Sequence, residues 1–172
     1  MYFSSIDDPS VSVRQKDGSV RPVFGPANRE SLENATVCFY GQKVGGLKSV
    51  SNTKLIHGAE VQRVSSVRIH TLAGIPMMLK LIDHRVRDAR GIDVVFDIRG
   101  QKPHDVVPGA YLCLKAGAHL IDVKGGGPLT LAKLEHSLMF PASKDHKLEY
   151  IIGANANLAA EVHALLKPQE DT

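Results

Sequence analysis

From Ile92 to Leu166 the chain alternates short β-rich apolar runs with segments whose apolar residues recur at helical spacing. That alternation restricts it to an α/β layered architecture. Ile92–Phe96, His119–Val123 and Leu148–Ile152 predict strands. Val107, Ala110, Tyr111 and Leu114 stand at i, i+3, i+4 and i+7, on one face of a helix opened by His104-Asp105. Asp105 suits the N-cap, which places Pro108 at the third helical position, where no intrahelical N–H bond is lost. Gly117 ends that helix. Gly125-Gly-Gly-Pro128 reads as a turn, and Leu158, Val162, Leu165 and Leu166 mark a last helix over Asn157–Lys167, stopped by Pro168. No linker or internal repeat interrupts residues 1–172, so a single domain is expected, with a mixed sheet flanked by helices.

Upstream, Ser10–Arg14 alternates apolar and polar residues, Asp17-Gly18 supplies a hairpin turn, and Val20–Phe24 resumes the extended pattern. Ala35–Tyr40 is apolar on both faces, as in a strand covered on both sides. Lys54–Val64 is a poorly periodic helical stretch, and Val67–Ile69 a short strand. Leu72, Ile75, Leu79 and Ile82 give a helix that must begin near Ala73 or Gly74 to hold Pro76 in its first turn. Arg85, Arg87 and Arg90 fall at its end. Gln169–Thr172 reads as a free tail.

At 172 residues and 43% apolar composition, the chain can bury a core without staples. Cys38 and Cys113 lie far apart inside apolar runs and are read as reduced core thiols. Lys and Arg total 21 against 18 acids, and only 5% of residues are aromatic. Neither figure suits a nucleic-acid surface, so no nucleic acid is expected as a partner. The first ten residues lack a basic segment before an apolar stretch, and about 18 consecutive apolar residues occur nowhere. A cytoplasmic protein without a membrane partner is therefore expected.

The phosphate-binding glycine loops, the H-E-x-x-H zinc pattern and the G-x-S-x-G elbow are all absent. Two carboxylates remain. Asp97 ends a predicted strand and Asp105 opens the next helix, at the carboxyl edge where α/β sheets collect ligands. An acid there can ligate a hard cation such as Mg²⁺. It can equally be a turn residue and an ordinary N-cap, and spacing leaves both readings open.

The stretch from His104-Asp105-Val-Val-Pro-Gly109 through Lys115-Ala-Gly-Ala118, Asp122-Val-Lys-Gly-Gly-Gly-Pro128 and Ala154-Asn155 resembles the C-terminal half of the inositol monophosphatase-like family. These are Mg²⁺-dependent, lithium-sensitive phosphatases. The family pattern runs Trp-Asp-x-Ala-x-Gly, Glu-Ala-Gly-Gly, Asp-x-x-Gly-Gly-Pro and an Ala-Asn pair, in this order. Upstream, Val67-Arg68 and Thr71-Leu-Ala-Gly74 stand where the family has an Arg and a Gly-[ST]-Ala-Ala helix start. The resemblance implies that Asp105 is a metal ligand. It also implies that Asp97, His104 and Thr71 face the substrate, a sugar or inositol phosphate. The family's Gly-Asp-x-x-x-Glu and Asp-Pro-[IL]-Asp-Gly-[ST] motifs, which carry most metal ligands, do not occur.

The resemblance therefore implies a partial phosphomonoesterase lacking the N-terminal catalytic half. Two-metal phosphate hydrolysis needs more carboxylates than Asp105 and Asp97 supply. Mg²⁺ binding by the isolated chain is expected to be weak or absent, and hydrolysis to require a complementing half or a homo-oligomer. The alternative is an inactive module that binds a small ligand or another protein.

Overall fold

Val94, Val95 and Phe96 send successive side chains to opposite faces of one sheet, and all three are fully buried. A strand with that pattern must be covered twice. The computed structural model describes residues 1–5, 7, 10–41, 50–51, 53–57, 64–70, 74–83 and 91–166, with backbone alone for 56–57, 64–70 and 74. Thr71 and Arg85, Arg87 and Arg90 lie outside the described residues, as does the tail.

The elements are β1 (Tyr2–Phe3), β2 (Ser12–Arg14), β3 (Val20–Pro22), β4 (Ala35–Tyr40), α1 (Lys54–His57), β5 (Val64–His70) and α2 (Gly74–Ile82). They continue with β6 (Val94–Gln101), α3 (Pro103–Lys115), β7 (His119–Asp122), α4 (Leu131–Met139), β8 (Leu148–Gly153) and α5 (Ala156–Leu165). β4 to β8 form a mixed sheet in the order β5-β4-β6-β8-β7. β4 runs parallel to β5 and β6, and β8 runs antiparallel to β6 and β7. The α/β layered class read from the sequence is the observed one.

Alternation along the strands divides the core. Cys38, Val95, Leu120, Tyr150 and Ile152 face α2 and α3, where they meet Met77, Met78, Leu81, Val106, Ala110 and Cys113. Val37, Phe39, Phe96, Ile121 and Ile151 face the opposite layer, where α5 contributes Leu158, Ala159, Val162 and Leu165. Phe39 and Phe96 stack there with ring centroids 5.5 Å apart. Burying each of the larger α5 side chains is worth about 2 kcal/mol. Asn155 caps α5 by accepting from Leu158 N at 3.0 Å, as its side-chain type predicts.

The Asp17-Gly18 hairpin forms as expected, pairing Val13 with Arg21, with Gly18 at φ +84° and Asp17 accepting from Ser19 N. The short strand β1 adds to it. Arg21 then clasps this small sheet to Asp83, at the end of α2.

Three expectations need correction. β6 does not stop at Asp97 but continues to Gln101 through a register shift against β8. α3 begins at Pro103, and its N-cap is Lys102 rather than Asp105, because proline's fixed φ suits the first helical position. Pro108 is consequently the sixth helical residue, so the His104 carbonyl loses its usual donor. α4 has no counterpart among the helices expected from the sequence. Thr130 caps it, accepting from Lys133 N at 3.3 Å.

β7 is a sheet edge, yet its outer side is not open. The glycine turn folds the chain back, so that Leu129 N donates to Leu120 O at 3.0 Å and Asp122 N to Gly127 O at 2.9 Å. Pro128 bridges Ile121. Among the described residues, no helix is long and apolar enough to cross a membrane.

Candidate functional site

The carboxyl end of β4, the part of β6 where its pairing with β8 shifts, and the first turn of α3 lie near one another, so that the charges of Asp97 and Asp105 both act on Tyr40. Asp105 is the third helical residue of α3, and its N–H donates to Lys102 O at 3.0 Å. Its side chain is 58% exposed and lies 3.6 Å from His104 Nε2, itself 68% exposed. An acid in a first turn sits favourably in the helix dipole, and more than half of this side chain is open to solvent.

Asp97 is the opposite case. It is 2% exposed. Its Oδ1 accepts from Arg99 N at 2.8 Å and Gly100 N at 2.9 Å, and Oδ2 accepts from Gln101 Nε2 at 2.9 Å. The amide of Gln101 also donates to the Tyr150 hydroxyl at 3.1 Å. The carboxylate thus supplies acceptors to the backbone where β6 leaves regular pairing, and Gly100 turns the chain there at φ +72°.

Tyr40, the last residue of β4, is a site residue that sequence reasoning misses. Burial, then the charges of Asp97 and Asp105, raises its hydroxyl pKa above the ordinary tyrosine range. Its position just before Gly41, at the end of a buried apolar run, is the available signal. Tyr150 is raised further, first by burial and then by Asp97.

Mg²⁺ needs several oxygens in near-octahedral array. Among the described residues no group of three or more His, Cys, Asp or Glu side chains could hold a metal. Asp105 offers one open carboxylate, while the oxygens of Asp97 are occupied. The described residues therefore do not make a Mg²⁺ site by themselves. His104 does line a hollow of about 220 Å³ against the start of α3.

No family model matches the sequence, and no curated protein gives a significant match. Solved structures do match the fold. The chain is similar to extragenic suppressor protein suhB of Bartonella henselae, at a TM-score of 0.58 and 14% identity over 92% of this chain and 53% of that one. Inositol monophosphatase from Anabaena (Nostoc) sp. matches at 0.56 and 13% identity, over 91% and 54%. SaIMPase-II, solved with inositol monophosphate bound, matches at 0.54 and 14% identity, over 91% and 53%. The fold is thus shared with inositol monophosphatase and suhB structures. The chain spans about half the length of each.

Proposed function

We propose that this chain supplies one half of a Mg²⁺-dependent phosphomonoesterase that acts on a sugar or inositol phosphate. The observation that carries the reading is the exposed carboxylate of Asp105 in the first turn of α3, in a fold shared with half of an inositol monophosphatase. In this proposal Asp105 is one oxygen donor to a metal whose other ligands come from a complementing chain or segment. His104 and Thr71 face the substrate. Asp97 contributes by position rather than by the hydroxyl contact that the resemblance implies, because its oxygens already hold the turn before α3.

The test is an assay of the chain with Mg²⁺ against inositol phosphates and fructose bisphosphate, paired with calorimetric Mg²⁺ titration with and without phosphate. The expected outcome is no turnover by the chain alone and Mg²⁺ binding weaker than about 1 mM. Turnover by the isolated chain that Asp105→Asn abolishes would overturn the need for a second half.

A non-enzymatic interaction module is the second reading. It is favoured by the exposed apolar side chains of Leu138, Met139 and Phe140 at the end of α4. Restoration of activity by a chain carrying the missing acidic motifs decides for the enzyme, and failure of such a chain to complement decides for the module.

A further inference from the structure

A cleft of about 660 Å³ lies between α4 and the chain that enters β8. It continues into the 220 Å³ hollow against the start of α3, and Ser137 and His146 line both. The volume is that of a small-molecule pocket.

Its charge is one-sided. Lys124, Lys133 and Lys147 line the larger lobe, and Lys102 and Lys144 the smaller. The only carboxylates among the lining residues are Asp122 and Glu149. Both are engaged already. Asp122 accepts from Lys124 N and Gly125 N at 3.2 Å each, and Glu149 pairs with Lys124 Nζ at 2.7 Å. Lys133 Nζ spends one donor on Pro128 O at 2.9 Å and keeps others. Lys102, Lys144 and Lys147 form no ion pair among the described residues. The imidazoles of His136 and His146 and the Ser137 hydroxyl add hydrogen-bonding groups between these cations.

Such a wall presents N–H and O–H donors and leaves few acceptors open, which suits an anion with several oxygens. A lone lysine on a convex surface is a solvated charge. Cations gathered around a concavity with hydrogen-bond donors between them focus the field on whatever enters. We infer that this cleft binds a small soluble molecule carrying phosphate groups, with Lys144 and Lys147 as its principal charges. The inference uses neither Asp105 nor a metal, and it shares with the phosphomonoesterase reading only His104, which lines the smaller lobe.

The experiment is an amide NMR titration of the full chain in EDTA, using inorganic phosphate and pyrophosphate at constant ionic strength, with neutral inositol, potassium chloride and vesicles of anionic lipid as controls. Saturable shifts confined to 102–104, 122–124, 129–138 and 141–149 are expected, with a Kd of about 1 mM or tighter and pyrophosphate the stronger ligand. Lys144→Gln with Lys147→Gln should weaken binding about tenfold, the scale of losing charge-assisted contacts. Both side chains are exposed. Should that double variant lose its fold, Lys133→Gln serves in its place.

Three results would overturn the inference: shifts no greater than chloride produces, equal affinity in the lysine variants, or binding only to vesicles of anionic lipid. All three leave the Asp105 proposal untouched. Failure of that proposal in the Mg²⁺ assays leaves this one standing.

Discussion

The Arg21 guanidinium grips the Asp83 carboxylate with two parallel hydrogen bonds, Nη1 to Oδ1 at 3.1 Å and Nη2 to Oδ2 at 2.8 Å. Asp83 is 1% exposed, so the pair joins a hairpin residue to a buried acid at the end of α2. Removing the arginine strands a buried charge. Arg21→Ala is expected to destabilise the chain by about 3 kcal/mol in chemical denaturation. Arg21→Lys should recover only part of that loss, since an ammonium cannot bridge both oxygens in this planar way.

The same acid accepts from the Tyr2 hydroxyl at 3.1 Å. Burial first, and then the charge of Asp83, push the Tyr2 pKa up to about 12. A tyrosine raised in the folded state keeps its proton after the unfolded chain has lost it near 10. Its contribution to stability is fully present below pH 10 and is lost as pH rises through about 12. Denaturation midpoints measured from pH 9 to 12 should fall, and fall less in Tyr2→Phe. An identical slope in the two proteins would show that the fall comes from other groups.

Asp97 and Asp105 should separate when each is replaced. Asp97→Ala removes the acceptor from two backbone N–H groups and a half-buried side-chain amide, at an expected cost of about 3 kcal/mol. Asp105→Asn alters an exposed side chain and should shift stability by less than about 1 kcal/mol. Thermal melts of the two variants check this contrast. Equal destabilisation would refute a structural role for Asp97.

Gly153 pairs with Val94 on one side and His119 on the other while α5 passes close by. A Cβ there would stand 2.7 Å from Ala159 N and 2.8 Å from Asn155 O, both backbone atoms that cannot swing aside. Gly153→Ala should therefore cost about 2 kcal/mol or more in equilibrium unfolding. At Gly109 the nearest obstacle is the Met78 sulfur, 2.6 Å away on a flexible side chain. There the loss should be smaller, because the methionine can shift and alanine favours the helix.

Both thiols should be silent in the native protein. Cys38 and Cys113 are fully buried and unlinked. Burial pushes the Cys113 thiol up, and its Sγ donates to Met78 O at 3.4 Å. A maleimide or aromatic disulfide reagent should label neither until denaturant is added. Fast labelling in buffer would contradict this packing.

Most of the sheet is legible in the sequence because burial on two faces leaves a plain mark. Ala35–Tyr40 and Leu148–Ile152 carry it, and the layers behind them follow from the helical spacing on α3 and α5. α4 escapes because only Leu134 among its residues is buried, so Leu131 and Leu138 stay in solvent and the apolar period is faint. The signal that remains is Thr130, a residue type favoured at N-caps. The end of β6 is misread because an aspartate inside a strand looks like a stop. Its side chain instead supplies the acceptors that the irregular pairing leaves unmet. Pro103, at the first position of α3, is a better marker of the helix start than Asp105.

The site is legible in part. Asp105 is exposed, as its proposed role requires, but the company it keeps is set by tertiary contact. Tyr40 comes to it from a strand more than sixty positions away in sequence. The lysines around the α4 cleft come from four separate segments, and no local pattern announces that they meet.

The return of the chain along β7 has a consequence for behaviour at high concentration. A bare outermost strand is a template on which foreign strands can grow. Here Leu120 and Asp122 are already occupied from within by Leu129 and Gly127, and Pro128 brings no amide hydrogen to the margin. On that flank, fibrillar stacking would first require the glycine turn to peel away.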